Sequence, residues 1–163
     1  MVLLLEELEP PIRLSRVELI LLIMPTRSYF DRVFRLLSNT GQECDVSPYT
    51  DEYEEIKNVP IALAATAWTS LELAKTFIII LHEGLWMKTT MDHILVNPNQ
   101  LQHFGFTVQD NPYISSPLYI ESTDRDFVLP LIMEGTNIME HTRTPTGEEL
   151  ARCQHILLSY QHE

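Results

Sequence analysis

Val59-Pro60-Ile61-Ala62-Leu63-Ala64-Ala65-Thr66-Ala67-Trp68, followed across a mixed polar and apolar connection by Thr76-Phe77-Ile78-Ile79-Ile80-Leu81-His82, decides the fold. The second run is rich in β-branched residues, which lose little side-chain freedom on a pleated sheet. The first starts at a proline in a position where a strand tolerates the missing N–H. Both runs are nearly unbroken in apolar character, the pattern of buried strands. A short connection, residues 69–75, makes an antiparallel hairpin the natural arrangement.

Working outward, Asn39-Thr40-Gly41 carries turn chemistry, because Asn and Gly tolerate positive φ. Cys44, Val46 and Tyr49 predict a short strand broken at Pro48, with a polar loop over residues 50–58. On the other side, Lys88, Thr89, Thr90 and Asp92 form a loop before a brief strand at residues 94–96. Asn97 precedes Pro98, which suits the first turn of a short helix over residues 99–104, and Gly105 supplies a left-handed stop. Further on, residues 119–121 and 127–132 read as strands around a turn at 122–126. Thr146 with Glu149 three residues later forms a capping-box pattern for a helix to about Cys153, and residues 155–160 read as a last strand.

Residues 1–38 differ in texture. Phe30, Val33, Phe34 and Leu37 recur at helical spacing behind Thr26, and Pro25 separates them from an apolar stretch, so this region is expected to be a helical extension. The expected organisation is thus an N-terminal extension (1–38), a β-rich middle (39–109) and a β-rich tail (110–163) with a short helix near 146–153. The class is mainly β, or α+β overall.

A chain of 163 residues is long enough for one sizeable core. Its 45% hydrophobic and 21% charged residues are those of a folding sequence rather than a disordered one. The formal net charge of -12, with Lys and Arg totalling 11, argues against binding a phosphate backbone, so no nucleic-acid partner is expected. Residues 2–5 and 19–24 are apolar patches, but Glu6, Glu7, Glu9, Arg13, Arg16 and Glu18 interrupt the N-terminus between them, and neither patch reaches the roughly 20 apolar residues of a membrane span. The first charges are acidic, unlike a signal peptide. Cys44 and Cys153 stand far apart and suit two reduced thiols, so the expected location is intracellular, in the cytoplasm.

Few residues suggest chemistry. His82-Glu83 starts like a zinc-protease His-Glu-x-x-His motif, but position 86 is Trp, and His82, His93 and His103 are irregularly spaced, so no metal is expected. Cys153 with His141 and His155 has no spacing of its own that builds a nucleophile pair. Ser47, Ser70, Ser115 and Ser116 lack the glycine-flanked elbow of a serine hydrolase. The glycines at 41, 84, 105, 135 and 147 are isolated, so no loop cradles a phosphate and no cofactor is expected. The acidic run Asp51-Glu52-Tyr53-Glu54-Glu55 reads as a solvated loop, and Met133 and Met139 as core filling.

Several blocks in order carry a family resemblance: Cys44-Asp45-Val46-Ser47-Pro48-Tyr49, the run 59–68, Leu81-His82-Glu83-Gly84-Leu85-Trp86, the segment 94–105, Val108-Gln109-Asp110-Asn111-Pro112, and His141-Thr142-Arg143-Thr144-Pro145-Thr146 with Glu149-Leu150. Together they resemble the polyproteins of copia-like long-terminal-repeat retrotransposons in the region of their retropepsin-like aspartic protease. The resemblance implies a partial retropepsin-like β-barrel over residues 39–109, with 59–82 as a flap-like hairpin and 94–105 as the strand and helix that close the fold beneath the active site. It also implies a homodimer that holds a peptide or protein ligand between two catalytic aspartates.

Those aspartates must share one proton, so that one activates water while the other protonates the leaving group. The family places each on an Asp-Thr-Gly or Asp-Ser-Gly turn, and this chain contains neither triplet. The window where the motif belongs, residues 19–37, holds a single acid, Asp31, followed by Arg32 and Val33. Asn39-Thr40-Gly41 mimics the triplet with the acid amidated, but Gln42-Glu43 follow where small apolar residues belong. Some relatives carry His-Ala-Asp-Thr near the catalytic aspartate, and codons for that run read one nucleotide out of frame can encode Met24-Pro25-Thr26-Arg27. The expectation is therefore a degenerate, catalytically inactive polyprotein fragment with no catalytic residue to assign. The alternatives are a small interaction module that reuses the β scaffold, or an inert subunit of a mixed protease dimer.

Overall fold

The computed structural model describes residues 17–21, 29–30, 34–46, 54–87 and 94–159. Three strands precede the central hairpin: β1 (Val17–Leu21), β2 (Tyr29–Phe30) and β3 (Arg35–Val46). The hairpin is β4 (Ile56–Ser70) and β5 (Lys75–Trp86). There follow β6 (Ile94–Val96), α1 (Pro98–His103), β7 (Thr107–Gln109), β8 (Tyr119–Glu121), β9 (Val128–Pro130), β10 (Ile132–Glu134), β11 (Asn137–Thr142), α2 (Gly147–Arg152) and β12 (Gln154–Leu157). The described chain is mainly β, as the sequence predicts. Its parts of the expected helical extension, Val17–Leu21, Tyr29–Phe30 and the start of β3, are strands, and the rest of that extension lies outside the described residues.

The apolar runs pair antiparallel from Ile61↔Leu85 to Ser70↔Lys75. The register shifts between Ala62 and Ala64, where β5 carries an extra residue and Glu83 adopts φ 58°. Such a bulge bends the strand and sharpens its twist, and the sheet containing the hairpin curls into a half barrel in the order β12, β5, β4, β3. The parallel neighbour β12 pairs with one stretch of β5 (Gln154↔Phe77 onward) and β2 with another (Tyr29↔Leu85).

Both faces of the hairpin are covered, which is the physical reason for its unbroken apolar sequence. Ala64, Trp68, Phe77, Ile79 and Leu81 belong to the largest core cluster, with Phe34, Val96, Leu101, Val108, Ile120, Phe127, Leu129, Leu131 and Leu158. Ala65, Ala67, Ile78 and Ile80 point the other way, against Leu150 and Cys153 at α2. Trp68, Phe77 and Phe127 form a ring cluster with centroids 5.3 to 6.1 Å apart, tying the hairpin to the small sheet β7, β8, β9.

Asn39-Thr40-Gly41 does turn the chain, but inside β3. Two extra residues between Asn39 and Glu43 make a bulge, Gly41 takes φ 77°, and Gly41 N–H and Gln42 N–H donate to Asn39 Oδ1 and Thr40 Oγ1. The strand predicted from Cys44 and Val46 is the end of this longer one. The strand predicted over 127–132 divides at buried Leu131 into β9 and β10, which belong to different sheets. β10 turns through Gly135 into β11, a strand that alternation did not single out because polar Asn137, Glu140 and His141 interrupt it.

Candidate functional site: the closing segment and two concavities

The closing segment forms as its residues dictate. Asn97 Oδ1 accepts from the Asn99 N–H at 2.9 Å, Pro98 opens α1, and Gly105 takes φ 89° after the helix. Leu101 is fully buried in the main cluster. Before the helix, β6 runs parallel to β1, with Leu19↔Ile94, Ile20↔Leu95 and Leu21↔Val96. The first residues of the window expected to hold an aspartate motif therefore lie beside the closing strand. Met24, Pro25, Thr26, Arg27 and Asp31 lie outside the described residues, as does His93.

The β5 bulge is held by side chains from two other segments, the stretch after β12 and α1. The Ser159 hydroxyl, fully buried, accepts from the His82 N–H at 2.8 Å and donates to the His82 carbonyl at 3.0 Å. Gln100 Nε2 on α1 donates to the same carbonyl at 3.4 Å. Burial pushes the His82 imidazole below its ordinary pKa, opposed by the negative charge of Glu83. The His82 backbone thus joins three segments.

The remaining sequence candidates are dispersed. Cys44 and Cys153 are unbonded, half-buried thiols, and His155 Nε2 lies 2.8 Å from the Leu150 carbonyl rather than at a thiol. Ser70 Oγ accepts from Leu73 N–H within the hairpin turn. Among the described residues, no three His, Cys, Asp or Glu side chains converge as a metal site, and no helix is long and apolar enough to cross a membrane. Thr146 and Glu149 form the expected capping box, and Arg143 pairs with both Glu149 oxygens. These bonds, with the Arg143 guanidinium first among them, hold the Glu149 carboxyl down at about 2.

Among the described residues, two concavities that face solvent bear on function. One, of about 310 Å³, is lined by residues 56–60 with Trp86 and Met87. The other, of about 550 Å³, lies between the hairpin tip and β9 and includes Glu140 of β11. Burial raises the Glu140 carboxyl above its ordinary pKa; the His141 N–H at 2.8 Å, the His141 charge and the Trp68 indole act against that. Sequence reading missed Glu140, and the one signal available was an acid in the run Asn137-Ile138-Met139-Glu140-His141-Thr142. None of the protein-family models, curated proteins or solved structures compared with this chain matches it.

Proposed function

We propose that the chain is a remnant of a retrotransposon polyprotein, retropepsin-like over residues 39–109, that lacks the catalytic aspartate and does not cleave peptides as it stands. The observation that carries this reading is the parallel pairing of β1 with β6, because a retropepsin-like fold needs its aspartate-bearing segment next to the closing strand and helix. The curled sheet around the hairpin supports the same reading. The chemistry is missing at the residue level: with no Asp-Thr-Gly or Asp-Ser-Gly triplet, two chains brought together have no pair of carboxylates to share a proton. As a homodimer, or beside a competent copy, such a chain acts as an inert subunit that still holds an extended peptide.

Incubation of the purified protein with a library of peptide substrates is expected to give no cleavage. Cleavage blocked by an aspartic-protease transition-state mimic would overturn the reading. A second reading, a small interaction module, draws on β3, a 12-residue strand at the sheet edge with Leu36 and Leu37 exposed. Among the described residues β3 is paired on one side alone, by β4, and a strand of that length with an open outer edge is a template for an added strand.

A further inference from the structure

The hairpin tip and β9 border the cleft of about 550 Å³, a size within the ~300–1,000 Å³ of ligand-binding clefts. Trp68, Leu71, Leu73, Val128, Pro130 and Glu140 line it, and three of these are apolar side chains left in solvent: Leu71 is 94% exposed, Leu73 63% and Val128 45%. Large apolar side chains gathered at a concavity mark a surface that gains by being covered.

The backbone there is also unfinished. Ser122 N–H donates to the Phe127 carbonyl at 3.0 Å and Leu131 N–H to the Leu118 carbonyl at 2.9 Å. With Ile120 opposite Leu129 between them, Leu129 is the β9 residue bonded to β8. Antiparallel alternation then turns the Val128 N–H and C=O, and the Pro130 C=O, toward the open edge. Among the described residues, β9 is the edge strand of its sheet.

The third feature is charge. The Glu140 carboxylate accepts from the His141 N–H at 2.8 Å, and among the described residues no Lys or Arg pairs with it, although Arg125 belongs to the same lining. The His141 Nε2 lies 3.9 Å from the Glu134 carboxylate. The lining carries Glu72, Asp126 and Glu140 against Arg125 alone, on a chain of net charge -12. A half-buried carboxylate beside an indole favours a cationic group on the occupant.

We propose that this cleft docks an extended peptide segment of alternating apolar and basic residues, added along the β9 edge beneath Leu71 and Leu73 with a Lys or Arg side chain paired to Glu140. A small free cation would meet Glu140 but leave the strand edge and the leucines uncovered, whereas a strand of this pattern satisfies all three. The proposal concerns a surface outside the closing segment and rests on neither reading of the chain's function.

The test is fluorescence anisotropy with a fluorescein-labelled, C-terminally amidated Val-Lys-Val-Lys-Val peptide. Saturable binding is expected, weakened at least about tenfold in Glu140→Gln, which removes the charge but keeps an oxygen for the His141 N–H. The Val-Gln-Val-Gln-Val peptide should bind correspondingly worse, and Glu43→Gln, an equal charge change on exposed β3, should leave affinity unchanged. Should Glu140→Gln misfold by circular dichroism, the double variant Leu71→Ser/Leu73→Ser decides, since those exposed side chains are not needed for the core; a several-fold loss is expected. No saturable binding to the unaltered protein would overturn the proposal. So would equal losses in Glu140→Gln and Glu43→Gln, or full binding by the leucine double variant.

Discussion

At the scale of single residues, two sets of polar contacts organise the last part of the chain: Ser159 with His82, and Arg143 with Glu149. Ser159 is the clearer, because its one hydroxyl satisfies both the N–H and the C=O of His82 at a bulge where no strand ladder can. Ser159→Ala removes the hydroxyl, takes that acceptor from the half-buried His82 N–H and leaves the carbonyl to Gln100 Nε2, at an expected cost of about 1–3 kcal/mol in denaturant unfolding. The Arg143–Glu149 pair makes a pH-dependent contribution. Glu149 ionises at about 2 when folded and near 4.5 when unfolded, so its stabilisation is complete above 4.5 and is lost as pH falls toward 2. Thermal unfolding of the unaltered protein should therefore lose more stability across that window than unfolding of Glu149→Gln; equal losses would show that the pair contributes nothing. The capping box was legible in sequence because all its bonds lie within four residues. Arg143 as partner of Glu149 was not, because that contact depends on how the chain turns between β11 and α2.

At the scale of elements, the hairpin dominates. Its strands could be read from composition, since residues buried on both faces leave an unbroken apolar run. The coverings of those faces could not: one comes from β7, β8 and β9 together with Phe34, Val96 and Leu101, the other from α2, and β7, β8, β9 and α2 lie more than twenty residues downstream. Phe127, 2% exposed, meets Trp68 and Phe77 edge-on at 6.1 and 5.3 Å and is the joint between hairpin and small sheet. Phe127→Ala should cost about 3–5 kcal/mol in denaturant unfolding, as aromatic truncations in packed cores do. A cost below about 1 kcal/mol would mean that the small sheet is not fastened there.

At the scale of the molecule, the main core draws on Phe34, on the hairpin, on Leu101 and on residues as late as Leu158, so the described residues of the three sequence segments share one apolar cluster. Unfolding is accordingly expected as one cooperative transition, with tryptophan fluorescence and far-ultraviolet circular dichroism coincident; two separated transitions would show that residues 110–163 fold by themselves. The polyprotein reading has its own check at this scale, in the gene. A frame one nucleotide away is expected to encode an Asp-containing motif over Met24-Pro25-Thr26-Arg27, and a gene with no such motif in any frame there would remove the frameshift account of the missing aspartate.

The sequence by itself determined the elements whose causes are local: the hairpin from its apolar runs, the Asn97 and Thr146 caps, the Gly105 stop, and the absence of an aspartate triplet. Tertiary structure alone decided which strands became neighbours. The parallel pairing of β1 with β6 and of β12 with β5 joins segments about seventy-five residues apart, and no local pattern encodes a partner at that separation. The cleft around Glu140 has the same origin. Its residues come from β4, the hairpin turn, the turn between β8 and β9, β9 and β11, and packing Phe127 on the hairpin brings them to one place.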